Sequence, residues 1–161
     1  MLSVKQNLLV VNSVEMIRDD IFDFNQGNGN GQESTVSYRY VIEGEVACKK
    51  NSNKFNSLTG TVYKTGRFRS WHDFALLQVK SQKLPKVPLA LYGVKLVLYH
   101  GTRRRIDSDN QLTSILDLLQ DAGVVKDDCW TCVPKKMVAD VYRNGRPGAE
   151  IELVPLKEAP A

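Results

Sequence analysis

Asp107 and Asp109 stand one residue apart, directly behind the run Arg103-Arg104-Arg105, and a second acidic pair, Asp127-Asp128, returns further along the chain. Carboxylates gathered in one place repel each other, and a divalent cation is the usual way to hold them together. Guanidinium groups beside them offer planar forks that match phosphate oxygens. These types in this order point to metal-assisted chemistry on a phosphate-bearing backbone. Each residue also has a plainer use. Asp107 or Asp109 could cap the following helix, and Asp127 and Asp128 could be surface turn residues. A helix uses one cap, however, which leaves a second Asp and the returning pair unexplained. A helix of roughly 14 residues is about 21 Å long. Asp128 therefore approaches Asp109 only if the chain doubles back, as an antiparallel strand beside the one ending at Tyr99 would. Spacing leaves both readings open.

The segments that must position these residues have readable periods. Leu91 to Tyr99 is apolar on both faces apart from Lys95, as a buried strand requires. Ser108 or Asp109 caps a helix in which Leu112, Ile115, Leu116, Leu119 and Ala122 fall on one face, and Gly123 ends it. Upstream, Val36, Tyr38, Tyr40 and Ile42 alternate as a half-buried strand. Gly66 suggests a tight turn, and Ser70-Trp71-His72-Asp73 resembles a capping box opening a helix to about Gln82. Trp71, Phe74 and Ala75 share one face of that helix, flanked by Leu77 and Val79, with Gln78 interrupting the stripe. Met137–Tyr142 and Ala149–Val154 read as strands paired around the turn at Arg143–Gly148. Lys49-Lys50-Asn51-Ser52-Asn53-Lys54 is a polar loop, either solvated or following a phosphate backbone.

The chain has 161 residues, 42 % hydrophobic and 25 % charged, as expected of one globular domain. No apolar run approaches the ~20 residues of a membrane span. The N-terminus lacks the features of a signal peptide, so no membrane association and a cytoplasmic location are the expectations. Net charge is +4, unevenly spread: residues 1–34 carry −3 and residues 35–161 carry +7. A basic body suits a polyanionic partner. Ser13 could open a helix to about Phe24. Asn25–Gly31, alternating Asn or Gln with Gly, reads as a linker rather than a phosphate loop, since no clear strand precedes it. Residues 1–34 are thus expected to be an extension, 35–156 the domain, and 157–161 a frayed tail.

Cys129-x-x-Cys132 lacks a second ligand pair at zinc spacing among Cys48, His72 and His100. Its β-leaning surroundings suggest two unconnected cysteines on opposite faces of a strand. His72 reads as solvated or locally bonded.

The order Arg103-Arg104-Arg105-Ile106-Asp107-Ser108-Asp109-Asn110, an amphipathic helix ending in Ala122-Gly123, and then Asp127-Asp128 resembles the RusA-type Holliday junction resolvases. The resemblance is specific over about 103–128 and looser over 38–100 and 133–154, where Lys50–Lys54 is similar to the family's polar loop. It implies an α+β fold, a small single domain with a mixed β-sheet and packed helices, working as a homodimer. It further implies a Mg²⁺-dependent endonuclease (Mn²⁺ a possible substitute) that resolves branched DNA by paired symmetric nicks. The family's three essential carboxylates fall on Asp107, Asp109 and Asp128, as catalytic residues and metal ligands. Lys50, Lys54, Arg67, Arg69, Arg103, Arg104, Arg105, Lys135 and Lys136 become the expected DNA contacts. Two positions depart from the pattern. Thr113 stands where the family has a lysine, for which Lys126 or Lys54 could substitute, and Ile106 intervenes before Asp107. The alternatives are a non-catalytic, structure-selective DNA-binding homologue and a structural or interaction domain.

Overall fold

The computed structural model describes residues 36–157. The expected helix from Ser13, the Gly/Asn linker and the end of the tail lie outside the described residues. The elements in order are β1 (Tyr38–Glu43), a 3-10 turn (Lys50–Ser52), β2 (Asn53–Asn56), β3 (Thr61–Lys64), α1 (Gly66–Lys80), β4 (Tyr92–His100), α2 (Ser108–Asp121), β5 (Lys135–Tyr142) and β6 (Gly148–Pro155). Four strands form one sheet in the order β1-β6-β4-β5, and β2 and β3 form a separate antiparallel hairpin. β6 is antiparallel to both its neighbours, while β4 and β5 run parallel. The fold is therefore a small α+β domain with a mixed sheet and two packed helices.

β4 is central because it can be: Tyr92, Val94, Leu96 and Leu98 are all buried, so the strand tolerates neighbours on both edges and helices on its face. A parallel partner needs a crossover, and α2 supplies it. Leu112, Ile115, Leu116, Leu119 and Ala122 all enter the core, as the spacing required, and Leu118 joins them. Gly123 adopts φ +75, closing α2 as anticipated.

Four expectations need correction. α1 begins at Gly66, not near Ser70, because Thr65 is its cap and its side chain accepts from Phe68 N at 3.4 Å. The early start brings Phe68 into line with Trp71, Ala75 and Val79 as the buried stripe. Phe74 and Leu77 consequently face outward, 56 % and 68 % exposed. β5 and β6 do not pair with each other, since β4 lies between them. The polar run beyond Ser52 continues as strand β2 rather than as loop. Finally, Cys129 and Cys132 occupy a turn in which Cys132 N and Val133 N both donate to Cys129 O, and the sulfurs converge to 3.1 Å.

Gln78, the apparent flaw in the α1 stripe, has a use. β1 is an edge strand, and unpaired edge groups invite association. Gln78 and Gln82, four apart, cover it: Gln78 Oε1 accepts from Glu43 N at 2.8 Å and Gln82 Oε1 from Val41 N at 3.0 Å. Gln82 Nε2 returns a bond to Val41 O at 2.8 Å.

Candidate active site

The ends of two helices and the loop after β1 enclose an open groove of about 1220 Å³. Thr65, Gly66 and Arg67 bring the start of α1 to it, and Asp107, Ser108 and Asp109 bring the start of α2. Free backbone N–H groups at helix starts favour anions. Lys54, Arg67, Arg104 and Arg105 line the same groove. Acidic and basic residues from distant parts of the sequence thus share one concavity.

Asp107 is the cap of α2, where the sequence left Asp107, Ser108 and Asp109 as candidates. Its Oδ1 accepts from Asp109 N at 3.1 Å and its Oδ2 from Asn110 Nδ2 at 2.7 Å. The Asp109 carboxylate has no hydrogen-bond or ion-pair partner among the described residues. Two exposed carboxylates beside each other, one of them unpartnered, are a donor set suited to a hard, oxygen-seeking cation such as Mg²⁺. The pair is held from behind by Asp140 of β5. Ser108 Oγ donates to Asp140 Oδ2 at 2.7 Å, and His100 Nε2 meets Asp140 Oδ1 at 2.6 Å. This link pins the first turn of α2 to the ends of β4 and β5.

The opposite wall, 45–49, is buttoned to α2 by a polar row. Gln111 Nε2 donates to Val46 O at 2.9 Å, Ser114 Oγ accepts from Lys49 N at 2.9 Å, and Asp117 pairs with Lys49 Nζ at 2.6 Å. That wall adds a carboxylate that sequence reading missed, Glu45, which faces Arg67 at 3.7 Å. Nothing in its local sequence marks it, because only the return of α1 and α2 makes the wall a wall. The Cys48 thiol registers this surrounding charge. Burial pushes its pKa up, Asp107 and Glu45 push it further, and Arg67 opposes them.

Other expected contacts take varied positions. Arg69 Nε donates to Lys64 O at 3.1 Å, and the Arg103 guanidinium lies 4.6 Å from the centre of the Tyr142 ring. Lys50 is exposed in the 3-10 turn. His72 bonds Asp121 at 3.0 Å, tying the two helices together.

Asp128 is not in the groove, and the reason is topological. The chain leaving α2 does not come back antiparallel to β4; it bridges in parallel to Leu89, at Val125, and then enters parallel β5. Asp127 and Asp128 therefore arrive at the start of β4, where Tyr92 Oη donates to Asp127 O at 3.0 Å. Burial pushes the Tyr92 phenol pKa up, and the Asp128 charge reinforces the shift. Asp107 follows the other end of this nine-residue strand, whose two ends are about 26 Å apart at ~3.3 Å per residue. Lys135 and Lys136, paired with Gly93 and Val94, also lie at the Asp128 end.

Next to Asp128, Cys129 and Cys132 influence each other. Hydrogen bonding with the Thr131 hydroxyl and then with the Cys132 thiol lowers the Cys129 pKa. Cys132 shifts upward, first through its bond with Cys129 and then through burial.

No helix of the described residues is long and apolar enough to cross a membrane. Against known proteins, the family model Endodeoxyribonuclease RusA matches residues 43–154, from the end of β1 to the end of β6. A curated relative named Crossover junction endodeoxyribonuclease RusA, from Aquifex aeolicus (strain VF5), is 32 % identical over 69 residues. That match covers 43 % of this chain and 55 % of the relative, so the chain spans about half the length of the curated relative it matches. With the family model covering more than half of its length, the chain belongs to the endodeoxyribonuclease RusA family.

Proposed function

We propose that this protein is a Mg²⁺-dependent endonuclease that resolves Holliday junctions by paired, symmetric nicks, acting as a homodimer. The observation that carries the reading is the groove in which Asp107 and Asp109 share one surface with Lys54, Arg67, Arg104 and Arg105, in a chain of the RusA family. Asp107 and Asp109 would hold the cation. When bound, Mg²⁺ supplies an activated water and neutralises charge growing on the phosphate. The guanidinium groups of Arg67, Arg104 and Arg105 would orient that phosphate, with the two helix starts adding fixed positive dipoles. Lys54, already in the groove, is the better substitute for the lysine replaced by Thr113; Lys126 follows Val125, at the far end of β4.

The groove's other carboxylate, Glu45, is engaged by Arg67, and the resemblance puts the third essential carboxylate on Asp128. The separation along β4 keeps a chain's own Asp128 away from its Asp107, so we propose that Asp128 of a second copy completes each site. A dimer with two such sites also matches the two-fold symmetry of a four-way junction.

The test is a synthetic four-way junction incubated with the full chain and Mg²⁺, with Mn²⁺ in parallel. Paired nicks at symmetric positions are expected, and Asp107→Asn should abolish them while junction binding persists. An intact junction with both metals would sink the nuclease reading. Binding that weakens steeply with salt, without nicks, would instead support a non-catalytic junction-binding homologue. That second reading draws on Thr113, whose Oγ1 is turned back onto Asp109 O at 2.9 Å and offers the groove no cation.

A further inference from the structure

The turn from Asp127 to Cys132 lies at the opposite end of β4 from the groove, and the proposed nicking chemistry uses only Asp128 from it. Its other polar side chains converge. Cys129 Sγ and Cys132 Sγ are 3.1 Å apart, and a carboxylate oxygen of Asp127 lies with both sulfurs inside a 4.8 Å span. The turn is built around this point. Tyr92, the first residue of β4, grips both of its ends, donating through Oη to Asp127 O at 3.0 Å and through N to Cys132 O at 2.9 Å. Asp127 Oδ1 accepts from Asp128 N at 2.7 Å and Cys129 N at 3.3 Å, which folds the carboxylate over its own turn. Outer hydrogen bonds of this kind fix ligand orientation before a metal arrives.

We propose that Asp127, Cys129 and Cys132 form a binding site for a thiophilic divalent cation, Zn²⁺ being the natural occupant, separate from the carboxylate pair in the groove. Two sulfurs and one carboxylate are a soft donor set that selects Zn²⁺ over Mg²⁺, whereas Asp107 and Asp109 offer only hard oxygen. Three protein ligands leave the fourth tetrahedral position open to water or another donor. Zn–S bonds of about 2.3 Å place two sulfurs about 3.8 Å apart. The thiols must therefore part from their 3.1 Å contact, as they can once the proton they share is gone. Coordination sends both thiol protons to solvent. A bound cation would stiffen the turn that carries Asp128.

The experiment uses the full chain, reduced and stripped of metal by a chelator, titrated with Co²⁺ as a coloured probe. A thiolate-to-Co²⁺ charge-transfer band saturating at one equivalent, and bleached by one equivalent of Zn²⁺, is expected. Asp107→Asn and Asp109→Asn should leave the band unchanged, and replacing both Cys129 and Cys132 by Ser should remove it. Asp127→Ala should weaken binding by more than the ~10–100-fold that loss of a residue hydrogen-bonded behind a ligand costs. A missing band in the wild-type chain, or one that persists in the double Ser variant, would overturn the site. Because the double variant could disturb folding, the wild-type chain is also alkylated with and without Zn²⁺. Zn²⁺ should shield Cys129 and Cys132 while Cys48 keeps its metal-free rate; equal effects on all three thiols would count against the site. These readouts stand whether or not the chain nicks DNA.

Discussion

Asp107 is asked to do two things, and they can be separated. It accepts from Asp109 N and Asn110 Nδ2, which is cap chemistry, and it presents negative charge to the groove, which is what the proposed metal chemistry uses. Asn caps a helix as well as Asp does, but carries no charge. Asp107→Asn should therefore keep the wild-type urea midpoint and lose Mg²⁺ affinity in a calorimetric titration. Asp107→Ala should lose both, with about 1 kcal/mol less stability. Equal destabilisation by the two substitutions would mean that charge, not capping, dominates the residue's structural role. The Asp pair was legible in the sequence because its residues are neighbours. Glu45 was not, since its place beside Arg67 exists only once the loop after β1 has been fastened to α2.

At the level of elements, legibility followed burial. α2 and β4 could be read because nearly every apolar residue in them is buried, so period and environment agree. The β2–β3 hairpin could not be read: Phe55 and Val62 face each other across it yet are 67 % and 65 % exposed, leaving no inward alternation to detect. β5 and β6 misled for another reason. A turn between two strands looks like a hairpin, and only the long-range claim of β4 on both of them prevents it. The cysteines were misread through the assumption of a strand, in which positions three apart diverge; a turn brings them together. Gln78 and Gln82 illustrate the converse, polar residues whose spacing looked like noise but matches the β1 edge. Replacing both by Ala should cost on the order of 1–2 kcal/mol in urea unfolding, from bonds of ~1 kcal/mol each. It should also raise self-association in sedimentation by uncovering that edge. Unchanged sedimentation would show that α1 covers β1 by bulk rather than by hydrogen bonds.

For the whole molecule, the parallel pairing of β4 with β5 decides more than any single residue. It separates Asp107 and Asp109 from Asp128, and the proposed completion by a second copy has a genetic signature. Asp107→Asn and Asp128→Asn chains should each be inactive alone. Mixed after dissociation and reassociation, they should form heterodimers in which one site is broken twice and the other is intact. Activity should return as single nicks without the opposing partner nick, resolved on a denaturing gel. No recovery on mixing would place Asp128 outside the site or return it to its own chain. The same separation bears on dosage. An enzyme whose site is split between copies is inert when dilute, and its rate rises with the square of chain concentration until pairing saturates. A cell holding few copies would then carry a latent cutter, armed by its own accumulation or by a junction that gathers two chains onto one strand crossing.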